Sequence, residues 1–99
     1  MLTKQDLLKY LRDNKEYLKK HFQLTKIGVF GSFARDEQKE DSDIDLLIER
    51  TPDAKNIFDS DWELQELFKK QFNREVDICT EKYIKSYFKP YILKDVIYV

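Results

Sequence analysis

Apolar side chains recur along the chain at spacings that distinguish helices from strands. At the N-terminus, leucine and phenylalanine return at helical spacing from Leu7 to Phe22, as in a helix with one buried face. Thr3 and Asp6 have the spacing of an N-cap pair, in which each side chain bonds the backbone of the other residue. The pattern predicts a helix over about Lys4–Lys20.

Three short runs of β-branched and apolar residues predict strands, over residues 26–30, 43–49 and 75–80. A helical turn over 32–36 and a polar loop over 37–42 are expected between the first two strands. The second run alternates between an apolar face and a face with two acids. The apolar face consists of Ile44, Leu46 and Ile48, and the other of Asp43, Asp45 and Leu47.

A second long helix is predicted after these strands. Ser60 and Glu63 have the spacing of a capping box, and the apolar stripe that follows is Leu64, Leu67, Phe68 and Phe72. The tail from Lys82 onward is aromatic and predicted to be helical, with Pro90 limiting or restarting the helix. Most of the tail's aromatic residues are expected to pack on the sheet, with a partner surface as the alternative; they are Tyr83, Tyr87, Phe88, Tyr91 and Tyr98.

The order of these elements predicts an α/β (α+β) fold, with a small mixed β-sheet flanked by helices. The 99 residues suffice for a single domain over 1–99 and leave no room for a separate substrate domain. An apolar fraction of 41% with 14% aromatic residues is typical of a globular protein rather than a disordered one.

Charge is balanced overall but uneven along the chain. The net charge of −1 gives no support for direct nucleic-acid binding. Between Asp36 and Glu49, however, seven acids stand against one lysine, which suggests a cation site.

The single cysteine, Cys79, cannot form an internal disulfide, so a reducing cytoplasmic location is expected. The charged N-terminus does not resemble a signal peptide, and no apolar stretch approaches the length of a membrane span.

The candidate chemistry lies in three carboxylates. Asp43 and Asp45 leave the same face of one predicted strand, where two like charges repel unless a hard divalent cation offsets them. Asp77 holds the matching place in another strand. Three such acids could bind two magnesium ions about 3.5–4 Å apart, an arrangement that clamps a phosphoryl group during transfer.

A phosphate-binding turn is predicted from Gly31 and Ser32. Gly31 ends a strand where the lack of a Cβ permits close approach, and Ser32 offers its N–H and hydroxyl at the start of a helical turn. Arg35 could add charge toward a triphosphate. Taken alone, either motif is more often an ordinary turn or a solvated strand end, and it is their joint occurrence that indicates a site.

Other sites fit the residues poorly. An EF-hand loop would need glycine and glutamate where Leu46 and Pro52 stand, and no P-loop motif follows Gly31. Zinc would lack ligands, since the chain has one histidine and one cysteine. A nucleophilic pair of His21 and Cys79 has no supporting context.

On these residues the chain resembles the minimal nucleotidyltransferases of the DNA polymerase β-like superfamily. The matching segments are Val29–Arg35, Asp41–Glu49 and Val76–Ile78, in order over nearly the whole chain. One departure is Asp36, where the family usually has glycine after the arginine; it places an additional acid near the expected triphosphate.

The resemblance implies an antitoxin whose partner, in a hetero-oligomer, is a HEPN-domain ribonuclease toxin. Such proteins transfer AMP from ATP to a tyrosine of the toxin, releasing pyrophosphate. Asp43 and Asp45 would bind both Mg²⁺ ions, Asp77 would complete one site and help deprotonate the tyrosine, and Gly31 and Ser32 would hold the β- and γ-phosphates. Two alternatives stay open: a catalytically weak antitoxin that neutralises by binding, and transfer to a small molecule.

Overall fold

The computed structural model describes all residues, 1–99. The chain forms five α-helices, a 3₁₀ turn and four strands. In chain order they are α1 (Lys4–Asp13), α2 (Lys15–His21), β1 (Leu24–Phe30), α3 (Gly31–Ala34), β2 (Ile44–Arg50), α4 (Ile57–Phe72), β3 (Val76–Thr80), the 3₁₀ turn (Glu81–Tyr83), α5 (Lys89–Asp95) and β4 (Ile97–Tyr98).

The four strands form one mixed sheet in the order β3-β2-β1-β4. β1 is antiparallel to both β2 and β4, whereas β2 and β3 are parallel. A parallel pair needs a long crossover connection, and α4 supplies it between β2 and β3. The predicted fold class is therefore confirmed.

The helices α1, α2 and α4 bury their apolar stripes against one face of the sheet. Sixteen buried residues form a single cluster there, including Leu11 of α1, Phe68 of α4 and Ile44, Leu46 and Ile48 of β2. The alternation predicted for β2 is thus confirmed. Leu47 points to the opposite face together with Asp45, and it is also fully buried.

The prediction of one N-terminal helix was wrong, because the chain forms two helices that meet at Asn14. The Asn14 side chain donates to the Tyr10 carbonyl at 2.8 Å and the Asn14 backbone N–H donates to the same oxygen. Asparagine side chains compete with the helical backbone for hydrogen bonds, so the helix ends and restarts there. The predicted capping box of Thr3 and Asp6 is confirmed.

The predicted start of the next helix was also wrong. The helix α4 begins at Ile57, three residues before the proposed cap. Ser60 lies inside the helix, where its hydroxyl accepts a hydrogen bond from the buried Arg50 guanidinium at 3.0 Å. The serine hydroxyl therefore accepts a hydrogen bond from a buried guanidinium and does not cap a helix.

The C-terminal tail differs most from the prediction. Only Lys89–Asp95 is α-helical, with Pro90 in the first turn, and the chain then adds the unpredicted strand β4 beside β1. The aromatic residues of the tail do not pack mainly in the core: Tyr83, Tyr87, Phe88 and Tyr91 are each more than half exposed. Since helices α1, α2 and α4 already cover the core face, that face has no room for them.

No helix combines the length and the apolar composition that crossing a membrane requires.

Candidate functional site

The strand registers bring the predicted acids together. Asp45 pairs with Phe30 on its antiparallel side and with Asp77 on its parallel side. Paired residues on neighbouring strands project from the same face about 5 Å apart. Asp43 lies one residue before β2, exposed, and two positions from Asp45.

Gly31 follows the residue that pairs with Asp45, and the two residues touch. The backbone of Gly31 has φ +73°, a region that residues with a Cβ rarely adopt. A Cβ at this position would lie 2.2 Å from Asp45 Oδ2 and 3.0 Å from its Cγ. Glycine is therefore required both by conformation and by the approach of the carboxylate.

Gly31 also begins α3, the four-residue helix that includes Ser32. The first N–H groups of a helix have no partner within it, so the backbone here can donate to an anion. The Ser32 carbonyl accepts from the Glu37 N–H at 2.9 Å, which closes the turn behind α3. A backbone segment that begins a helix thus lies directly beside the acids.

Electrostatic strain is concentrated on Asp45. Burial, followed by the carboxylates of Asp77 and Asp43, raises its pKa to about 6, against a smaller lowering by Arg35. None of the ion pairs in the structure involves any of the three acids. The site holds negative charge that the protein itself does not neutralise.

A divalent cation such as Mg²⁺ fits this donor set in its chemistry. Mg²⁺ binds hard oxygen ligands, and here the Asp45 carboxylate is destabilised by burial and by the neighbouring carboxylates of Asp77, on the adjacent strand, and Asp43. The side chains do not already form a group of three that surrounds one metal position. Asp43 and Asp77 are exposed, so their side chains are not fixed by packing.

Arg35 lies at the end of α3 and is engaged by two carboxylates. Its Nε donates to Glu37 at 2.6 Å and its Nη1 to Asp95 of α5 at 3.3 Å. No local pattern indicates the second partner, which is 60 residues away along the chain. Arg35 is thus near the acids but occupied by its own ion pairs.

Asp36, the departure from the family pattern, has φ +60°. Glycine adopts this left-handed region without steric cost, and aspartate is among the few other residues that tolerate it. The backbone explains why glycine is the usual residue here. In this chain the position adds a carboxylate next to Arg35.

Arg74 was missed by the sequence analysis although it organises the loop that leads into the acids. Its Nη1 donates to the carbonyls of Lys39 and Ser42, at 3.1 and 2.9 Å. Its guanidinium also lies 5.4 Å from the centre of the Phe33 ring in α3. Arg74 therefore joins the loop before Asp43 to the helix after Gly31. These contacts span more than 30 residues, so no local pattern signals them.

The comparisons with known proteins identify the family of the chain. The family model described as a nucleotidyltransferase domain matches residues 11–99. The protein adenylyltransferase MntA of Thermococcus cleftensis is 35% identical over 101 residues, which cover 100% of this chain and 98% of the relative.

Two solved structures share the fold. One, described provisionally as a minimal nucleotidyltransferase, has TM-score 0.77 at 25% identity and covers 97% of this chain and 95% of its own. The other is a complex of a tri-AMPylated HEPN toxin of Shewanella oneidensis with an MNT antitoxin. It matches with TM-score 0.57 and covers 96% of this chain and 66% of the matched chain. At 21% identity this likeness supports the fold alone.

The fold and the family model define a nucleotidyltransferase, and the chain belongs to the nucleotidyltransferase domain family. Within that family its architecture is that of the minimal nucleotidyltransferases.

Proposed function

We propose that the protein transfers AMP from ATP to a tyrosine hydroxyl of a HEPN-domain partner and thereby silences that partner, within a cytoplasmic complex. The observation that carries the proposal is the contact of Gly31 with Asp45, beside Asp77 in the next strand. This contact joins an anion-binding turn to a cluster of unneutralised acids. The adenylyltransferase relative supports AMP transfer, and the HEPN partner is the one that the resemblance to minimal nucleotidyltransferase antitoxins implies.

In this proposal Asp43, Asp45 and Asp77 would hold two Mg²⁺ ions. When bound, such ions neutralise the triphosphate and stabilise the departing pyrophosphate. The backbone of Gly31 and Ser32 donates to the β- and γ-phosphates, and so orients the α-phosphate toward the acids.

The acceptor enters beside Asp77. The tyrosine oxygen forms a bond to the α-phosphorus while the bond from that phosphorus to the bridging oxygen breaks, and pyrophosphate leaves. The Asp77 carboxylate accepts the proton of the hydroxyl as the oxygen attacks. Asp77 suits this role because it is exposed on the same face as Asp45.

The test is incubation with α-labelled ATP, magnesium and the HEPN protein encoded beside this chain. We expect label on one or more tyrosines of the partner, lost in Asp45→Asn. The matched control is Asp53→Asn, an exposed acid in the turn after β2, which should transfer AMP as the wild type does. Absence of label with both proteins folded and magnesium present would contradict the proposal.

A second candidate, neutralisation by binding alone, is favoured by one observation. The carboxylate of Asp36 adds negative charge where a triphosphate would lie, next to an arginine that already pairs with two acids. The double variant Asp43→Asn with Asp45→Asn separates the candidates. If it still neutralises the partner at equal stoichiometry, binding suffices; if neutralisation is lost while the complex forms, transfer is needed.

A further inference from the structure

β3 lies at one edge of the sheet, so half of its backbone groups face away from β2. The Ile44 N–H donates to the Glu75 carbonyl at 2.9 Å, which fixes the residues whose groups point inward. Because successive residues alternate, the groups of Val76, Ile78 and Thr80 point outward.

One of these outward groups already has a partner within the protein. The Gln65 side-chain amide donates to the Val76 carbonyl at 2.8 Å and closes the first part of the edge. The N–H groups of Ile78 and Thr80 and the Ile78 carbonyl have no such partner from a side chain or from backbone outside the sheet. An open strand edge of this kind is a template for another strand.

A groove of about 500 Å³ follows this open edge. Its floor is Ile78–Thr80, one wall includes Asp61 of α4, and the other includes Ile84, Phe88 and Ile92 from the C-terminal segment. Six of its nine lining residues are apolar, so the groove suits a chain with apolar side chains. A chain in the groove could complete the sheet and contact both walls.

The groove is continuous with the candidate site. Cys79 lines it, and on β3 this cysteine points to the same face as Asp77. A side chain of an added strand on this face would begin about 5 Å from its neighbour on β3. A tyrosine at that place can therefore bring its hydroxyl to the acids.

Two charged residues line the groove. Asp61 is ion-paired with Arg50 at 2.8 Å, whereas Lys85 has no ion pair. The groove thus carries one free positive charge at its rim, complementary to an acidic side chain of an incoming segment.

We propose that the HEPN partner presents its acceptor tyrosine in an extended segment that adds to the free edge of β3. In this arrangement apolar side chains contact Phe88 and Ile92, and an acidic one faces Lys85. Main-chain hydrogen bonds would supply affinity and alternate side chains would supply specificity. The inference rests on the proposed function, because it assigns how that function's acceptor reaches the site.

The direct test is amide hydrogen exchange, resolved by residue, of the full chain with and without the HEPN partner. The amides of Ile78 and Thr80 should gain at least tenfold protection in the complex. The amides of Asp77 and Cys79 already donate hydrogen bonds to β2, so their protection should not change and they serve as internal references. The native thiol of Cys79 gives a second readout, since an occupied groove should slow its alkylation at alkaline pH by a similar factor.

Matched aromatic variants test the wall of the groove. Phe88→Ala removes a lining residue, whereas Tyr91→Ala removes an aromatic residue of α5 that lies outside the groove and is 74% exposed. We expect Phe88→Ala to raise the KM for the partner about tenfold, as truncation of an interface anchor commonly does. Tyr91→Ala should leave that KM within twofold of the wild type.

The outcomes separate this inference from the proposed function. If AMP is transferred to the partner while the amides of Ile78 and Thr80 stay unprotected, docking on β3 is wrong and the transferase proposal stands. The same holds if AMP is transferred and Phe88→Ala and Tyr91→Ala change the KM for the partner equally. Protection of these amides together with AMP transfer supports both. If the partner neither binds nor becomes labelled, both proposals are wrong.

Discussion

The α-carbon of Gly31 and the carboxylate of Asp45 lie so close that a Cβ on residue 31 would stand 2.2 Å from Asp45 Oδ2. This contact couples the turn that follows β1 to the first acid within β2. It makes the geometry of the site sensitive to a single methyl group.

Gly31→Ala should therefore damage both stability and activity. The left-handed backbone costs an L-residue about 1–2 kcal/mol, and displacement of Asp45 adds to that cost. We expect the free energy of unfolding, measured with urea, to fall by about 2–3 kcal/mol, with AMP transfer reduced at least a hundredfold.

Gly28→Ala is the matched control. Its Cβ would meet the Ile97 carbonyl of β4 at 2.7 Å, and its nearest neighbours belong to Ile97 and Tyr98 rather than to an acid of the site. It should destabilise β4 but retain magnesium binding by the folded fraction. If the two variants lost magnesium binding equally, the contact with Asp45 would not explain the effect of Gly31→Ala.

Stability should depend on pH through Asp45. Its pKa is raised from 3.8 to about 6 by burial and neighbouring carboxylates, so the folded protein holds this proton more tightly than the unfolded chain. The stabilisation is complete below about pH 4 and is lost as pH rises through about 6. Asp45→Asn removes this dependence. With EDTA present, its advantage over the wild type should grow across this window to about 1–2 kcal/mol, allowing for solvent screening. An advantage that is constant from pH 4 to 7 would contradict the assignment.

Magnesium should restore the stability that the folded protein loses through its unneutralised acids. An ion that binds only the folded protein stabilises it by about 1.4 kcal/mol at ten times its Kd. We expect the Tm of the wild type and of Asp53→Asn to rise with MgCl₂ and to return after EDTA. The Tm of Asp45→Asn and of Asp77→Asn should respond weakly. A response of equal size in all four proteins would indicate a general salt effect.

The ion pair between Arg35 and Asp95 should compete with nucleotide. Because Asp95 holds Nη1 of Arg35 while Glu37 holds Nε, Asp95→Asn should release the Nη1 side of the guanidinium and lower the Kd for ATP about two- to threefold. Arg35→Ala should raise that Kd about tenfold. Calorimetric titration measures both effects. If Asp95→Asn acts equally in the Arg35→Ala background, the two residues are not coupled.

Position 36 allows conformation and charge to be separated. Asp36→Gly should stabilise the fold by about 0.5–1 kcal/mol, because glycine adopts φ +60° without strain. Asp36→Asn keeps a residue that tolerates this conformation and removes only the charge. If the carboxylate disfavours triphosphate binding, both variants should lower the Kd for ATP, whereas only Asp36→Gly should raise Tm appreciably. Unchanged ATP affinity in both would show that Asp36 does not face the nucleotide.

The local sequence pattern was sufficient to predict a residue's position wherever that position depends on its neighbours in sequence. The alternation of Ile44, Leu46 and Ile48 correctly identified the buried face of β2, and so the face on which Asp45 lies. The positions of Gly31 and the first two acids also follow locally, since consecutive antiparallel strands joined by a short connection return to the same end of the sheet.

The same reasoning failed where a distant contact outweighed the local pattern. Ser60 looked like a helix cap, but the buried guanidinium of Arg50 engages it. The C-terminal aromatic residues were predicted to pack on the sheet, but helices α1, α2 and α4 already cover its core face. Strand β4 consists of only two residues and exists because Gly28 leaves room for it beside β1.

The sequence by itself determined the buried faces of the N-terminal helices, of α4 and of β2, and which chemical groups the candidate site contains, because hydrophobic periodicity and backbone freedom are properties of adjacent residues. Only the tertiary structure decided that Asp77 lies beside Asp45, that Asp95 holds Arg35 and that β3 is left with an open edge. Those relationships depend on strand order and helix docking, which are set by the burial of the whole chain at once.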